Sequence, residues 1–218
     1  MHPETPPHTV SPVDHPTRTL AVVDQGPPER ADAARNRARL LEAGARMVEE
    51  LGAENVTMEA VAAAASVGKG TVYRRFGDRA GLMAALVDDA ERSYQESFLS
   101  GPAPLGPGAP PEQRLRAFGI ATIRHEIRHR DVLLEARREH GRRHAVTPAL
   151  GLRATHLSNL LREADVAGDL QILTEVLLSY LSTGFVNHLH TRRGVPAERI
   201  EAGWNDLVDR VLCPASKP

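Results

Sequence analysis

Two short stretches carry side chains whose types and spacing could do chemistry. The first is His125-Glu126-Ile127-Arg128-His129, a match to H-E-x-x-H. On a helix its two histidines share one face and could bind zinc, with the glutamate as general base of a hydrolase. Arg128 and Arg130 put cations beside the would-be metal, and positions 132 and 135 hold neither the glycine nor the histidine of the extended ligand pattern. The zinc hydrolase is therefore the alternative reading, and no catalytic residue, metal or cofactor is assigned. The second stretch is residues 57–82, TMEAVAAAASVGKGTVYRRFGDRAGL. Lys69, Arg74, Arg75 and Arg79, with the hydroxyls of Thr57, Thr71 and Tyr73, are groups that hold phosphates. A guanidinium among them can also read a guanine edge. Charge alone would favour a plainer reading, an exposed charged helix on an ordinary bundle.

The whole chain is not basic. Its 218 residues hold 27 basic and 28 acidic side chains, a net charge of −1, so bulk charge points to no polyanionic partner. The cations are local. Residues 66–79 hold Lys69, Arg74, Arg75 and Arg79 against Asp78 alone. Residues 114–143 hold nine arginines against Glu126, Asp131, Glu135 and Glu139. That second cluster fits a solvated face, a DNA-facing strip or a pocket for an acidic ligand, and nothing local separates the three. A single cysteine, Cys213, excludes an internal disulfide framework and a Cys-based structural zinc site. No apolar run is long enough to span a membrane, and no secretory signal opens the chain, so a cytoplasmic protein is expected.

The elements that must position these residues are helices. Seven of 16 prolines lie in residues 1–28 and five in residues 101–111. Proline removes a backbone donor, so the first stretch reads as a disordered extension and the second as a mobile loop. Between and beyond them apolar residues recur at helical spacing, as in Ala34, Ala38, Leu41, Ala45 and Val48. Thr57, Asp78 and Asp169 stand as N-caps, and Pro111, Pro148 and Pro196 open helices. Val56 and Val61 flank Thr57 as a hydrophobic staple. No alternating β-branched run appears. The expectation is an all-α chain of nine helices: an extension at 1–28, a helix-turn-helix domain at 29–77, a helical domain at 78–213 and a tail at 214–218.

Two short helices joined by a tight turn make a helix-turn-helix, whose second helix can enter a major groove. At about 100° per residue, Val72 and Phe76 fall on one side of that second helix and anchor it. Gly70 and Arg74 fall on the opposite side, with Thr71 and Arg75 on one flank and Lys69 and Tyr73 on the other.

The run from Ala65 through Phe76, followed by Asp78, Arg79 and Leu82, resembles the DNA-binding signature of TetR-type transcriptional regulators. The resemblance covers about 55 residues at 29–86. It implies that Thr71 and Tyr73 hold phosphates, that Arg79 stands where the family usually has lysine, and that Lys69, Gly70, Arg74 and Arg75 meet base edges or nearby phosphates. Thr57 caps the first motif helix and touches a phosphate in this reading. Two positions depart from the pattern: Ser66 replaces the turn glycine, and Gly68 replaces the serine cap.

The resemblance further implies a repressor that binds a palindromic operator as a homodimer and leaves it on binding a small-molecule inducer. The dimer would form on the last two long helices, with Tyr180, Gly184, His188, Trp204, Leu207 and Val211 as candidate face residues. Polar or aromatic interruptions on apolar helices give the pocket candidates: Phe98, Phe118, Thr122, His125, His156, Leu160 and Tyr180.

Overall fold

A computed structural model describes residues 28–140 and 147–213. The described residues form helices and turns, with no strand among them. In chain order the helices are α1 (Pro28–Leu51), α2 (Met58–Ala64), α3 (Lys69–Phe76), α4 (Arg79–Leu99), α5 (Pro111–Arg128), α6 (Arg130–His140), α7 (Thr147–Glu163), α8 (Leu170–Tyr180), α9 (Thr183–Asn187) and α10 (Ala197–Leu212). Each of the nine expected helices is present. The eighth, expected to run unbroken from Leu170 towards Gly194, is interrupted. Ser182 leaves the helical region, caps α9 through the Phe185 amide, and a π turn at His188–Arg192 follows. A serine that can accept from the backbone competes with helix continuation in this way.

The other caps fall where expected. Thr57 Oγ1 accepts from the Ala60 amide at 3.2 Å, and Asp78 Oδ1 accepts from Gly81 at 2.8 Å. Asp169 caps α8 through Gln171 and Ile172. Val56 and Val61 are both fully buried. Helix α1 begins at Pro28, inside the stretch expected to be extension, because proline suits a first helical position and helix-forming residues follow. The rest of that extension and the tail at 214–218 lie outside the described residues.

Two hydrophobic cores share α4. Its N-terminal half contributes Leu82, Met83, Leu86 and Val87 to a head core with Leu40, Leu41, Val56, Val61 and Val72. Its C-terminal half contributes Tyr94 and Phe98 to a body core with Leu115, Phe118, Leu157, Leu161, Leu177 and Trp204. Val132 of α6 also joins the head core. The head is thus joined to the body through one continuous helix and a second helix packed under it. In the body, α10 lies against α5 where Gly119 leaves room for the Trp204 ring. A Cβ there would sit 1.9 Å from the indole.

The segment after α4 is not helical, as expected, but it is more closely packed than its composition implies. Gly106 is buried, its amide donates to the Pro102 carbonyl at 2.9 Å, and Leu105 packs on the body core.

Candidate nucleic-acid interface

The turn between α2 and α3 closes in a Schellman pattern. The Val67 amide donates to the Ala62 carbonyl at 3.0 Å and the Ser66 amide to Ala63 at 3.1 Å. That geometry requires a left-handed residue between them, and Ser66 supplies it at φ 54°. Helix α3 then starts at Gly68, which caps without a side-chain oxygen, as its type dictates. Val72 is buried and Phe76 half-buried against the head core. Lys69, Gly70, Tyr73, Arg74 and Arg75 are exposed, and Thr71 is half-buried. The faces of α3 are therefore those given by its spacing. A Cβ built on Gly70 meets nothing within 4 Å, so the backbone there is open to close approach.

Three of the candidate residues are already engaged within the chain. Arg75 Nη2 donates to the Ala33 carbonyl of α1. The Tyr73 hydroxyl donates to Glu59 Oε1 at 3.0 Å. That bond raises the phenol pKa, while the carboxylate is lowered first by its own backbone amide and then by Tyr73. Glu59 had no local sequence signal, since its partner lies 14 residues on and on another helix. Arg79 is turned inward: Nε donates to Val56 O at 3.0 Å, Nη2 to Ala53 O at 2.6 Å, and Nη1 pairs with Glu135 of α6 at 2.9 Å. Expected to meet a phosphate, it instead ties the start of α4 to the short 3-10 turn before α2 and to α6. The reason is local: the Val56 carbonyl lies just ahead of α2, and the Ala53 carbonyl, which accepts from the Val56 amide at 3.3 Å, keeps a second lone pair for the guanidinium.

In the body, most of the pocket candidates gather into one packed cluster. Phe98 and Phe118 rings lie 5.4 Å apart, and His156 sits 4.6 Å from Phe98 and 5.1 Å from Phe118. His125 stacks on Tyr94 at 4.7 Å, and Tyr94 bonds Thr122 at 2.5 Å. Leu160 is buried in the same core. Tyr180 lies elsewhere, donating to Ile200 O at 2.7 Å beside Trp204. These residues fill the core because aromatic rings in contact exclude solvent from one another. Open space flanks them instead. A cleft of about 600 Å³ between α1, α4 and α5 is lined by His125 and His129, and a recess of about 130 Å³ is lined by Phe118 and Thr122.

The H-E-x-x-H stretch does not assemble for hydrolysis. His125 and His129 are neighbours, with ring centroids 4.8 Å apart, but Glu126 Oε1 is bonded to Arg153 at 2.7 Å. Among the described residues no group of three or more His, Cys, Asp or Glu could hold a metal. Burial, with the nearby His125 and Arg128 charges, lowers the His129 pKa to about 4.

The dimer candidates divide. Trp204 is fully buried within the chain, its Nε1 donating to Leu115 O at 3.3 Å, and it cannot face a partner. Tyr180, Leu207 and Val211 are half-buried against the body core, whereas Gly184 and His188 are exposed. The exposed apolar side chains of this region are Ile172 (58%) and Val176 (52%), one turn apart on α8, and Phe185 (40%) on α9. Helix α8 is therefore apolar on more than one face.

The N-terminal helices match the model of the bacterial regulatory proteins of the tetR family over residues 40–86. No curated protein matches the sequence. Solved structures share the fold over most of the chain. A TetR-family regulator from Rhodococcus sp. is 16% identical, with 83% of this chain and 100% of that chain covered at a TM-score of 0.62. A TetR-family regulator from Pectobacterium atrosepticum is 23% identical, covering 84% and 95% at 0.61. The complex of SmeT with triclosan is 18% identical, covering 84% and 97% at 0.55. Residues 40–86 thus match the DNA-binding domain of the tetR family of bacterial regulatory proteins, and the described helices share the fold of these solved TetR-family structures.

Proposed function

We propose that this protein is a TetR-family transcriptional repressor that binds a pseudo-palindromic operator as a homodimer and releases it when a small molecule occupies the helical body. The observation that carries the reading is the two-faced α3: Val72 is locked into the head core while Gly70 and Arg74 stand on the open side. Arg74 is the base reader, through paired donors to guanine, and the bare Gly70 backbone lets the helix sit deep in the groove. Lys69, Thr71 and Thr57 meet phosphates, joined by Tyr73 and Arg75 once their present partners yield. Arg79 is left out of this set because its guanidinium holds the head together.

The homodimer forms through α8 and α9. Ile172, Val176 and Phe185 are the large apolar side chains exposed there, next to the open surface at Gly184 and His188. Burying such a patch against a second copy removes apolar area from water without disturbing the body core. Release requires a molecule that favours the conformer not bound to DNA. The triclosan carried by SmeT, a protein of the same fold, is consistent with a ligand-binding body here. Selection from random duplex DNA tests the reading. It is expected to return a site with two symmetric half-sites in separate major-groove faces. A single asymmetric site, or no enrichment, would contradict it.

A further inference from the structure

Glu59 is the single acid among residues 57–77, the stretch that holds α2, the turn and α3. It stands exposed in the first turn of α2, two residues after the Thr57 cap. The Tyr73 hydroxyl donates to its Oε1 at 3.0 Å, and Tyr73 is itself 44% exposed. The carboxylate pKa is lowered first by its own backbone amide, then by Tyr73, with the Lys69 charge a smaller cause. Glu59 therefore faces both Tyr73 and Lys69. The fold of α2 does not need this bond, because Met58, Val61 and Ala62 bury the other face and Thr57 caps the helix. An exposed pair of this kind adds little to stability. What sets it apart is its partners: Tyr73 and Lys69 are the groups assigned above to phosphates.

A phenol has one proton and donates it to one acceptor at a time. A phosphodiester has no proton to share with a carboxylate, so the two anions cannot both keep Tyr73, and they repel each other across it. We propose that Glu59 is a built-in competitor for the DNA backbone: in the free head its carboxylate occupies Tyr73 and the Lys69 charge, and a phosphate must displace it. Docking moves the hydroxyl from Glu59 Oε1 to a phosphate oxygen and turns the carboxylate out to solvent. Exposure of both side chains leaves the pair open to that exchange. The contact is to the backbone, so the penalty falls on operator and random duplex alike. Binding to bulk DNA is electrostatic, and a competitor at this point holds it down. This inference rests on the proposed reading of α3 as the DNA-binding helix and names what limits its affinity.

Titration of the full chain against two labelled duplexes tests it, one recovered by selection and one of random sequence. Glu59→Gln keeps the shape and an acceptor but removes the charge. It should tighten both duplexes by about three- to thirtyfold per dimer, with the thermal melt unchanged. Glu59→Ala removes the acceptor as well and suits a helix, so it stands in for a glutamine variant that fails to fold. It should tighten both duplexes by a similar factor. Repeating the Glu59→Gln change in a Tyr73→Phe background separates competition for the hydroxyl from plain repulsion. There the gain should shrink several-fold. An equal gain in both backgrounds, or weaker binding by either Glu59 variant, would overturn the proposal. A parent that selects an operator, with Glu59 variants that bind no tighter, would overturn the competitor alone. A parent that binds neither duplex would overturn the DNA-binding reading and the competitor with it.

Discussion

At Ser66 the chain turns through φ 54°, a conformation in which a Cβ crowds the following carbonyl. The turn survives because the Schellman hydrogen bonds and the burial of the staple residues outweigh that strain. Ser66→Gly should therefore raise stability by about 0.5–1 kcal/mol in denaturant unfolding, with DNA affinity unchanged. A loss of stability would mean that the serine side chain contributes more than its backbone strain costs. Arg79 is the second residue where local chemistry decides the role. Its guanidinium satisfies two carbonyls of the 3-10 turn and a carboxylate of α6, so Arg79→Ala should destabilise the protein by about 2–3 kcal/mol. The salt dependence of DNA binding, measured below the melting transition of the variant, should stay near that of the parent. A fall in the salt slope of about two per dimer with normal stability would restore a phosphate contact at this position.

Among the elements, the C-cap of α5 and helix α7 carry two histidines that the fold keeps neutral. Burial, together with His125 and Arg128, holds His129 at about 4, and burial together with Arg114 does the same for His156. Both titrate near 6.5 when unfolded, so between pH 6.5 and 4 the unfolded chain binds more protons than the folded one. Stability should accordingly be lost as pH falls through that window. His129→Gln with His156→Gln should flatten the decline by about two protons per chain in urea unfolding across pH. A slope identical to the parent would show that neither histidine is held neutral. These elements also mark how far the sequence was legible. Thr57, Asp78 and Asp169 announced their helices because a cap acts within three residues of itself. The faces of α3 followed from an eight-residue periodicity. The body was less readable, because its determinants join distant positions. Trp204 read as a candidate for the dimer face, and the room that takes it inside the chain comes from Gly119 on another helix. Glu91, Glu126 and Arg153 come from three helices and have no common spacing. The break at Ser182 was hidden inside a stripe of leucines that reads as continuous.

For the whole molecule, a chain with net charge −1 is asked to hold a polyanion, so the cations of α3 must act where they are concentrated. Two copies, paired through α8 and α9, would present two such helices to successive faces of the duplex. On the proposed reading, α3 reads sequence through Arg74 while its flanking groups hold the backbone. Binding of the parent and of Arg74→Ala to the selected operator and to random duplex, each across a salt series, tests it most directly. Arg74→Ala should cost about 1–3 kcal/mol per half-site on the operator, with a much smaller change on random DNA. Equal weakening on both DNAs, with sequence preference intact, would contradict it.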